Sequence, residues 1–518
     1  MDKTTILWAD DEIDLLKPHI IFLEQKGYDV VTANSGSDAI DLVRERPFDI
    51  VFLDEQMPGV SGIEALEVIK REYPNLPVVM ITKSEEETIM ESAIGSNIAD
   101  YLIKPVNPNQ ILLSLKRNLE NRKLRDEKST LSYQQEFRQI AMDLNNNLNY
   151  DEWITLFKKL VRWELELQKS TDEGIKQILA DQKQEADTLF TRFVERNYVN
   201  WIQGKADKPV MSHTLVRDKV LPRIDDSDRP LFFIVIDNLR YDQWKAIQPI
   251  LENYFRVDAD DVYYSILPTS TQYARNSLFA GLMPLEIRRR YPKWWVDEDE
   301  EGTKNQFEGE LFGEQLKRYG KNLKYSYNKV LNLQAGKKLY EQMPNLMQNK
   351  INIIVYNFVD MLSHARTEME IIRELADDEE AYRSLMYSWF EHSSLLDMMR
   401  FIADKGCNMV VTTDHGSTYV KNPVKILGDR EVNTNLRYKY GKNLKYNPKE
   451  VFEVKAPELV SLPRINLSTT YVFAGSGDFF AYPNNYNYYV SYYRNTFQHG
   501  GISMNEMLIP VIALSSKR

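Results

Sequence analysis

The chain of 518 residues contains a single cysteine, Cys407, and lacks any long uninterrupted apolar run. One thiol excludes a disulfide framework within the chain and is typical of a reducing compartment. No apolar stretch reaches the ~20 residues that a helix needs to cross a bilayer. The opening MDKTTILWADDE places acids where a signal peptide requires an apolar stretch. We therefore expect a soluble, cytoplasmic protein without membrane insertion.

An excess of positive charge is also missing. The formal net charge of −11 argues against broad wrapping by nucleic acid and against an anionic membrane partner, but it leaves room for local basic patches. The helical stretches contain no basic recognition helix, which disfavours a DNA-binding transcription factor. The apolar fraction of 43% supports ordinary globular cores, and the length predicts several domains.

Residues 1–120 alternate short apolar runs with stretches of helical spacing. The runs are TILWA (5–9), IVFL (50–53), PVVMIT (77–82) and ADYLI (99–103). Buried strands that alternate with amphipathic helices predict a doubly wound parallel sheet, whose ligands bind at the carboxyl ends of the strands. Polar residues follow these runs, namely Asp10, Asp11, Asp54, Thr82 and Lys104. Three clustered carboxylates require a hard cation.

The motifs ADDE, FLDEQMPGVSG, MIT and LIKP occur in the order and spacing of a known family. The segment resembles the receiver domain of bacterial response regulators, which has a flavodoxin-like fold. The resemblance implies that Asp54 accepts a phosphoryl group from a sensor histidine kinase. It also implies a magnesium ion held by Asp10, Asp11, Asp54 and the backbone carbonyl of Gln56. Thr82 and Lys104 would then contact the phosphoryl group, and Tyr101 would be the aromatic switch residue; the alternative is a receiver used only for docking.

Residues 121–215 have a helical pattern, with breaks near NNNLNYDE and KSTDEG. Trp153, Leu156, Phe157, Leu160 and Trp163 share a spacing of three and four residues, which predicts a helical bundle. The bundle is either a spacer or a module for dimerisation and signal relay, and the sequence leaves both interpretations open.

Residues 216–518 contain three more apolar runs that end in acids: LFFIVID (231–237), INIIVYNFVD (351–360) and MVVTTDHG (409–416). They predict a second α/β sheet with chemistry at its strand ends. The candidate ligands and hydroxyl are Asp237, Thr271, Asp360, His364, Asp414, His415 and His499. Three aspartates and three histidines can hold two divalent cations, and mixed ligands of this kind favour zinc, with manganese as an alternative. A hydroxyl between two cations can serve as a nucleophile.

The ordered set resembles the alkaline phosphatase superfamily, and the stretches DNLRYDQW and HGGISMNEMLIP resemble its PglZ-type branch. The resemblance implies one zinc ion held by Asp360, His364 and His499, and a second held by Asp237, Asp414 and His415. It makes Thr271 the nucleophile and a metal ligand, with Thr269 and Ser270 as competing hydroxyls.

The arginine that clamps phosphate in this superfamily has no clear counterpart. Arg240 and Arg275 are candidates for binding substrate, and Arg437 is a third, within a basic and aromatic stretch at 421–449. Tyrosines at 482–493 can stack on bases. The alternative for these two stretches is an edge hairpin and a solvated loop.

The succession of a receiver (1–120), a helical middle (121–215) and a PglZ-type domain (216–518) resembles a family of Bacteroidota response regulators linked to type IX secretion and gliding. That resemblance implies a phosphodiesterase acting on short linear or cyclic oligonucleotides. It also implies a homodimer upon phosphorylation, and a sigma factor or a secretion component as a further partner. The alternatives are a phosphomonoesterase or sulfatase of the same superfamily, and a non-catalytic effector that signals by docking.

Overall fold

The computed structural model describes residues 4–83, 98–168, 170, 172–225, 228–298, 300, 302–376, 378–428 and 433–518, without the side chains of 120–131, 368, 370 and 371. The described chain divides into two compact units. One comprises Met1–Glu136 with Lys169–Thr171, and the other comprises Phe137–Gln168 with Asp172–Arg518.

The first unit is built on a five-stranded parallel sheet. Its strands are β1 (Thr5–Ala9), β2 (Asp29–Ala33), β3 (Ile50–Asp54), β4 (Val78–Thr82) and β5 (Asp100–Ile103), in the order β2-β1-β3-β4-β5. Helices Lys17–Gln25, Gly36–Glu45 and Gly62–Glu72 connect them. This order confirms the predicted doubly wound sheet, although the sequence did not predict β2.

Helices cover both faces of this sheet, because each face of the buried strands is apolar. Leu66 and Ile69 of the helix Gly62–Glu72 pack on one face, and Ile111 and Leu115 pack on the other. The start of Gly62–Glu72 is fixed by a capping box, in which Ser61 and Glu64 satisfy each other's backbone N–H groups. The acidic ends of β1 and β3 therefore lie on a rigid edge.

The middle of the chain is helical, as the sequence predicts. Its helices are Pro108–Leu144, Tyr150–Leu167 and Glu173–Ile202, and the last two begin at N-caps formed by Asn149 and Asp172. Within the second unit, Trp201 of the last helix packs edge-on against Tyr264 at 5.5 Å between ring centroids. These helices therefore share an aromatic core with the sheet domain that follows.

The second unit contains a six-stranded mixed sheet. Its strands are β6 (Leu231–Ile236), β7 (Phe255–Tyr264), β8 (Tyr325–Val330), β9 (Ile351–Tyr356), β10 (Asn408–Thr412) and β18 (Leu508–Ser516), in the order β7-β18-β10-β6-β9-β8. β18 runs antiparallel to both of its neighbours, so β7 points the same way as β10, β6 and β9. The carboxyl ends of these four strands therefore meet the start of β18 at one edge.

Helices and small sheets surround this central sheet. The helices are Ser212–Leu215, Tyr241–Glu252, Thr271–Ala280, Pro284–Arg290, Glu308–Arg318, Leu333–Leu346, Phe358–Glu368, Glu370–Leu375, Glu379–Glu391, Ser394–Asp404, Tyr486–Tyr493 and Met504–Met507. The small sheets pair β11 (Thr418–Val420) with β17 (Thr496–Gln498), and β12 (Asn422–Lys425) with β16 (Asp478–Ala481). The third small sheet joins β13 (Tyr438–Gly441), β15 (Thr470–Ala474) and β14 (Val451–Val454).

One sequence prediction and one alternative interpretation need correction here. The strand predicted over 351–360 ends at Tyr356, and Asp360 lies instead in the first turn of the helix Phe358–Glu368. The tyrosine-dense stretch at 482–493 contains the helix Tyr486–Tyr493 rather than a hairpin. Among the described helices, none combines the length and the apolarity required to cross a bilayer.

Candidate functional site

The first unit gathers three carboxylates at the ends of β1 and β3. Asp10, Asp11 and Asp54 each offer an oxygen, and these oxygens lie within 4.8 Å of one another. Lys104 Nζ lies 2.8 Å from Asp10 Oδ2 and 3.0 Å from Asp54 Oδ1. Burial raises the pKa of Asp54, against the opposing effect of Lys104. An all-oxygen donor set with excess negative charge fits Mg²⁺, which would relieve this repulsion.

The other predicted receiver residues surround these carboxylates. The Thr82 hydroxyl at the end of β4 donates to the Glu55 carboxylate, and both residues are buried. Tyr101 is partly exposed on β5, and Gln56 is exposed two residues after Asp54. Sequence reasoning missed Gly62, where a Cβ atom would lie 2.0 Å from the Asp54 carbonyl oxygen. The SG pair of FLDEQMPGVSG was the available signal, because only glycine lets the helix approach β3 so closely.

The second unit brings the six predicted metal-type ligands into two groups of three. Asp360, His364 and His499 form the first ligand group, and Asp237, Asp414 and His415 form the second ligand group; the donor atoms within each group lie within 4.8 Å of one another. The rings of His415 and His499 stack with 4.3 Å between centroids, so the groups adjoin. This division is the one that the resemblance implied.

Topology explains why residues so distant in sequence meet. Asp237 follows β6, and Asp414 and His415 follow β10 beside it. Asp360 follows β9, the neighbour of β6 on the other side. His499 follows β17 and precedes β18. All of the ligands therefore lie at the same edge of the central sheet.

The second ligand group is buried and crowded with negative charge. Asp237, Asp414 and His415 are fully buried. Burial and the neighbouring Asp237 carboxylate raise the pKa of Asp414, whose buried Oδ2 accepts no hydrogen bond from a described donor. Burial lowers the pKa of His415, but the three surrounding aspartates outweigh it and raise that pKa overall. Two carboxylates and an imidazole in such a place fit a divalent transition metal.

The first ligand group is more accessible. The His364 side chain is 61% exposed, and its Nε2 lies 3.5 Å from Asp360 Oδ2. His499 Nε2 lies 3.7 Å from Asp360 Oδ1, and its Nδ1 lies 3.2 Å from the Thr269 carbonyl oxygen. Because the backbone contact occupies Nδ1 of His499, Nε2 is the nitrogen that can bind a metal. This exposed side is where a ligand from solvent can reach the centre.

Thr271 begins the helix Thr271–Ala280 and lies against the second ligand group. Its Oγ1 is 3.0 Å from His415 Nε2 and 3.5 Å from Asp237 Oδ1. The competing Thr269 hydroxyl donates instead to the Gly501 carbonyl oxygen at 2.8 Å. The helix N-terminus also presents backbone N–H groups and partial positive charge to an anion beside Thr271.

Sequence reasoning missed Asn238, which bridges the two ligand groups. Its Nδ2 donates to Asp360 Oδ1 at 3.3 Å, and its backbone N–H lies 3.5 Å from Asp414 Oδ1. Asn238 adopts a positive φ of 64°, which asparagine tolerates better than most residues. The signal in the sequence was its position directly after Asp237.

The structure gives the three predicted substrate arginines other partners. Arg275 Nη1 donates to Asp237 Oδ2 at 2.6 Å, and its Nε donates to Glu308 at 2.6 Å. Arg275 therefore orients the Asp237 carboxylate of the second ligand group. Arg240 pairs with Asp242 and Glu379, and Arg437 pairs with Glu506. The side chains of both arginines are at most 1% exposed. Arg240 and Arg437 are thus engaged in buried ion pairs, and contact of either with substrate stays a prediction.

Replacing Arg437 with alanine should lower the free energy of unfolding by about 3–5 kcal/mol, because Glu506 would remain buried without its cation. Urea denaturation measures this loss. The double variant Arg437→Met, Glu506→Gln should recover much of it, since no net charge is then left in the interior. A single variant as stable as the wild type would show that this pair does not support the fold.

Family models match three successive parts of the chain. The model described as the BREX system PglZ alkaline phosphatase-like domain matches residues 215–514. The chain belongs to this PglZ family. The PorX response regulator linker domain matches residues 123–202, and the response regulator receiver domain matches residues 6–116. The chain is thus a response regulator with a PorX-type architecture, with a receiver, a linker and a PglZ domain in succession.

Relatives with curated descriptions match over a receiver-sized length. The alginate biosynthesis transcriptional regulatory protein AlgB of Pseudomonas syringae pv. tomato is 36% identical over 119 residues, which are 23% of this chain and 27% of that protein. The transcriptional regulatory protein ZraR of Escherichia coli O157:H7 is 39% identical over 119 residues, again 23% and 27%. The chain thus spans about a quarter of these relatives.

Solved structures give matches of similar length. Vibrio cholerae chemotaxis protein CheY4 is 27% identical, and the match covers 23% of this chain and 100% of that one with a TM-score of 0.22. The receiver domain of NtrX from Brucella abortus is 32% identical, and the match covers 22% of this chain and 98% of that one with a TM-score of 0.21.

Proposed function

We propose that the PglZ domain of this response regulator is a zinc-dependent phosphodiesterase that acts on short linear or cyclic oligonucleotides. The observation that carries the proposal is the position of Thr271, whose hydroxyl lies 3.0 Å from His415 Nε2, beside two adjoining groups of metal-type ligands. A site with only a structural role would not need a hydroxyl there. We propose the domain limits 1–120, 121–215 and 216–518 for receiver, helical middle and PglZ domain.

In this proposal Thr271 Oγ1 gives up its proton and attacks phosphorus, and the bond to the leaving oxygen breaks as that oxygen takes up a proton. Water then hydrolyses the ester that joins Thr271 to the remaining nucleotide phosphate and restores the hydroxyl. When bound, two divalent cations would supply charge neutralisation for the phosphate and a lower pKa for the attacking hydroxyl. The residues of the chain position the nucleophile. Asn305 Nδ2 donates to the Thr271 carbonyl oxygen at 3.0 Å, and Arg275 fixes Asp237. The N-terminus of the helix Thr271–Ala280 binds phosphate oxygens.

The tyrosine helix Tyr486–Tyr493 supports an oligonucleotide as substrate. Tyr488 stacks on Tyr492 with 6.1 Å between ring centroids, and Tyr489 stacks on Tyr493 with 6.3 Å. Tyr488 is 64% exposed, so its ring is open to a base. The helix ends a few residues before His499. Exposed aromatic rings near a phosphate site can stack on successive bases.

A panel of substrates tests this function. We expect turnover of bis(p-nitrophenyl) phosphate and of short oligonucleotides by the zinc-loaded protein, with much slower release of phosphate from p-nitrophenyl phosphate. Faster hydrolysis of the monoester would favour the phosphomonoesterase alternative. Hydrolysis of neither class by metal-loaded protein would favour a non-catalytic effector that signals by docking.

We further propose that a sensor histidine kinase phosphorylates Asp54 and that phosphorylation favours a homodimer. We also propose a role in type IX secretion and gliding, with a sigma factor or a secretion component as partner, because the chain has the PorX-type succession of receiver, linker and PglZ domain. Lys104 bridges Asp10 and Asp54, and the Thr82 hydroxyl donates to Glu55. A phosphoryl group on Asp54 would compete with the carboxylates of Asp10 and Glu55 for the Lys104 and Thr82 donors. It would thereby favour a second conformation of the receiver.

Beryllofluoride with Mg²⁺ should therefore increase the mass of the wild-type protein toward that of a dimer in light scattering. The fluorine atoms stand in for phosphoryl oxygens on Asp54. Asp54→Ala should show no increase, whereas Asp49→Ala, in the loop before β3, serves as a control that should respond like the wild type. An unchanged mass for the wild type would leave the receiver as a docking domain.

A further inference from the structure

The segment that follows His499 contacts both ligand groups. His499, at its start, belongs to the first ligand group. At its other end, the Glu506 carbonyl oxygen accepts a hydrogen bond at 3.1 Å from the N–H of Gly416, which is next to His415 of the second ligand group. A Cβ atom on Gly416 would lie 2.0 Å from the Asn505 carbonyl oxygen, so the two backbones meet here directly. A displacement of residues 499–506 would therefore disturb both groups at once.

Glu506 makes this segment internally stiff. Its buried carboxylate accepts hydrogen bonds from the Gly501 N–H at 2.9 Å and from the Ser503 hydroxyl at 2.6 Å. The Arg437 guanidinium donates to the same carboxylate at 2.6 Å. A connected network of this kind moves as one body, so the position of one end determines the position of the other.

Two side chains of the helix Glu173–Ile202 hold this segment from the helical middle of the chain. Asp187 Oδ1 accepts a hydrogen bond from the Met504 N–H at 2.6 Å. The Thr191 hydroxyl accepts from the Ser476 N–H at 3.1 Å and donates to the Asp187 carbonyl oxygen at 3.0 Å, and it lies 3.3 Å from the Ile502 carbonyl oxygen. Two segments of irregular backbone, one at Ser476 and one at Met504, are thus held by side chains on two adjacent turns of one helix.

The packing beside this contact is incomplete. A cavity of about 380 Å³ opens next to it and is lined in part by Asp187, Ser476, Met504 and Asn505. The contact between Asp187 and Met504 therefore lies at the margin of this cavity.

We infer that Asp187 and Thr191 are positioning residues for the metal centre, because they hold residues 499–506 where His499 can complete the first ligand group. The inference rests on the proposed function, since it takes the two ligand groups to be metal sites. Both residues lie within the region matched by the linker family. The linker then forms part of the support of the hydrolytic centre and is more than a connection between two domains.

Hydrogen exchange and zinc retention test this inference in the full chain. Asp187→Ala and Thr191→Val should each speed exchange of the amides in 500–507 by about tenfold or more. Asp187 bonds to Met504 directly, and Thr191 bonds to Ser476, whose N–H also donates to the Ile502 carbonyl oxygen. In competition with a chelator, one of two zinc equivalents should be bound about 10–100-fold more weakly. Asp187→Asn keeps an acceptor oxygen, and Thr191→Ser keeps a hydroxyl. Amide exchange and zinc binding in these two variants should therefore be close to those of the wild type.

Matched controls lie on the same helix. Asp181 and Thr188 are exposed and bond to Gln177 and Gln184 of that helix, so Asp181→Ala and Thr188→Val should leave both readouts unchanged. Exchange and zinc retention within twofold of the wild type for Asp187→Ala and Thr191→Val would overturn the inference.

The wider fold supplies an internal reference. If Asp187→Ala also speeds amide exchange in β6 and β9, that substitution destabilises the whole sheet. The nearly isosteric Thr191→Val then tests the inference by the same two measurements, amide exchange in 500–507 and zinc retention. Both readouts are recorded without substrate. Failure of the wild type to hydrolyse any phosphate ester would therefore refute the proposed function while leaving this inference to be judged separately.

Discussion

Thr271→Val should lower phosphodiester turnover by about a thousandfold or more, the scale seen when a nucleophile is removed from a preorganised site. Valine has nearly the shape of threonine, and the helix Thr271–Ala280 keeps its N-cap residue Ser270. The fold and most of the bound metal should therefore be retained. The measurement is the steady-state rate with bis(p-nitrophenyl) phosphate, alongside elemental analysis of the same preparation.

Two companion variants sharpen this result. Thr271→Ser keeps a hydroxyl at the N-terminus of the helix, so it should retain a substantial fraction of activity. Thr269→Ser keeps the donor to Gly501 and should behave like the wild type. More than about a tenth of wild-type activity in Thr271→Val would contradict the assignment and point to Ser270, Thr269 or a bound hydroxide as the nucleophile.

His499→Ala should lower bound zinc from about two ions to about one per chain, the count expected of a two-metal centre. The first ligand group has three side chains, and the loss of one typically weakens metal binding strongly. His364→Ala should have the same effect, since it belongs to the same group. Both variants should lose nearly all activity, because an attacked phosphate would then contact one cation instead of two.

His392→Ala is the matched control, because His392 is exposed and lies outside both ligand groups. It should keep about two zinc ions and full activity. Elemental analysis after dialysis measures the metal, and addition of zinc or manganese to chelated protein measures recovery of activity. Wild-type protein that holds no transition metal and gains no activity from either ion would show that the metal assignment is wrong.

The sequence predicted the ligand-bearing strand ends well, for a physical reason. Buried parallel strands have continuous apolar runs, so the first acid after each run marks a carboxyl end, as at Asp54, Asp237 and Asp414. The same logic failed at Asp360, where Phe358 and Val359 extend the apolar run. Phe358 stacks on Trp389 with 3.8 Å between ring centroids, so its apolar character serves helix packing.

The partners of buried side chains were harder to predict from the sequence. Arg240 was a candidate for binding substrate because the phosphate-clamping arginine of the superfamily has no clear counterpart in the chain. The Arg240 partner Glu379 comes from a helix far along the chain, and no local pattern reveals such a pair. The bridging role of Asn238 was hidden for the same reason, because it depends on which strands are neighbours in the sheet.

The placement of β18 has a consequence for the time course of folding. This strand lies between β7 and β10 in the sheet, yet β7 precedes it by most of the length of the domain. Pairing across such long loops is entropically costly and slow compared with the formation of local helices. The stretch that carries His499 leads directly into β18. We therefore expect the sheet to close and the set of metal-type ligands to become complete in the same late event, so a partly folded chain should lack the complete first ligand group.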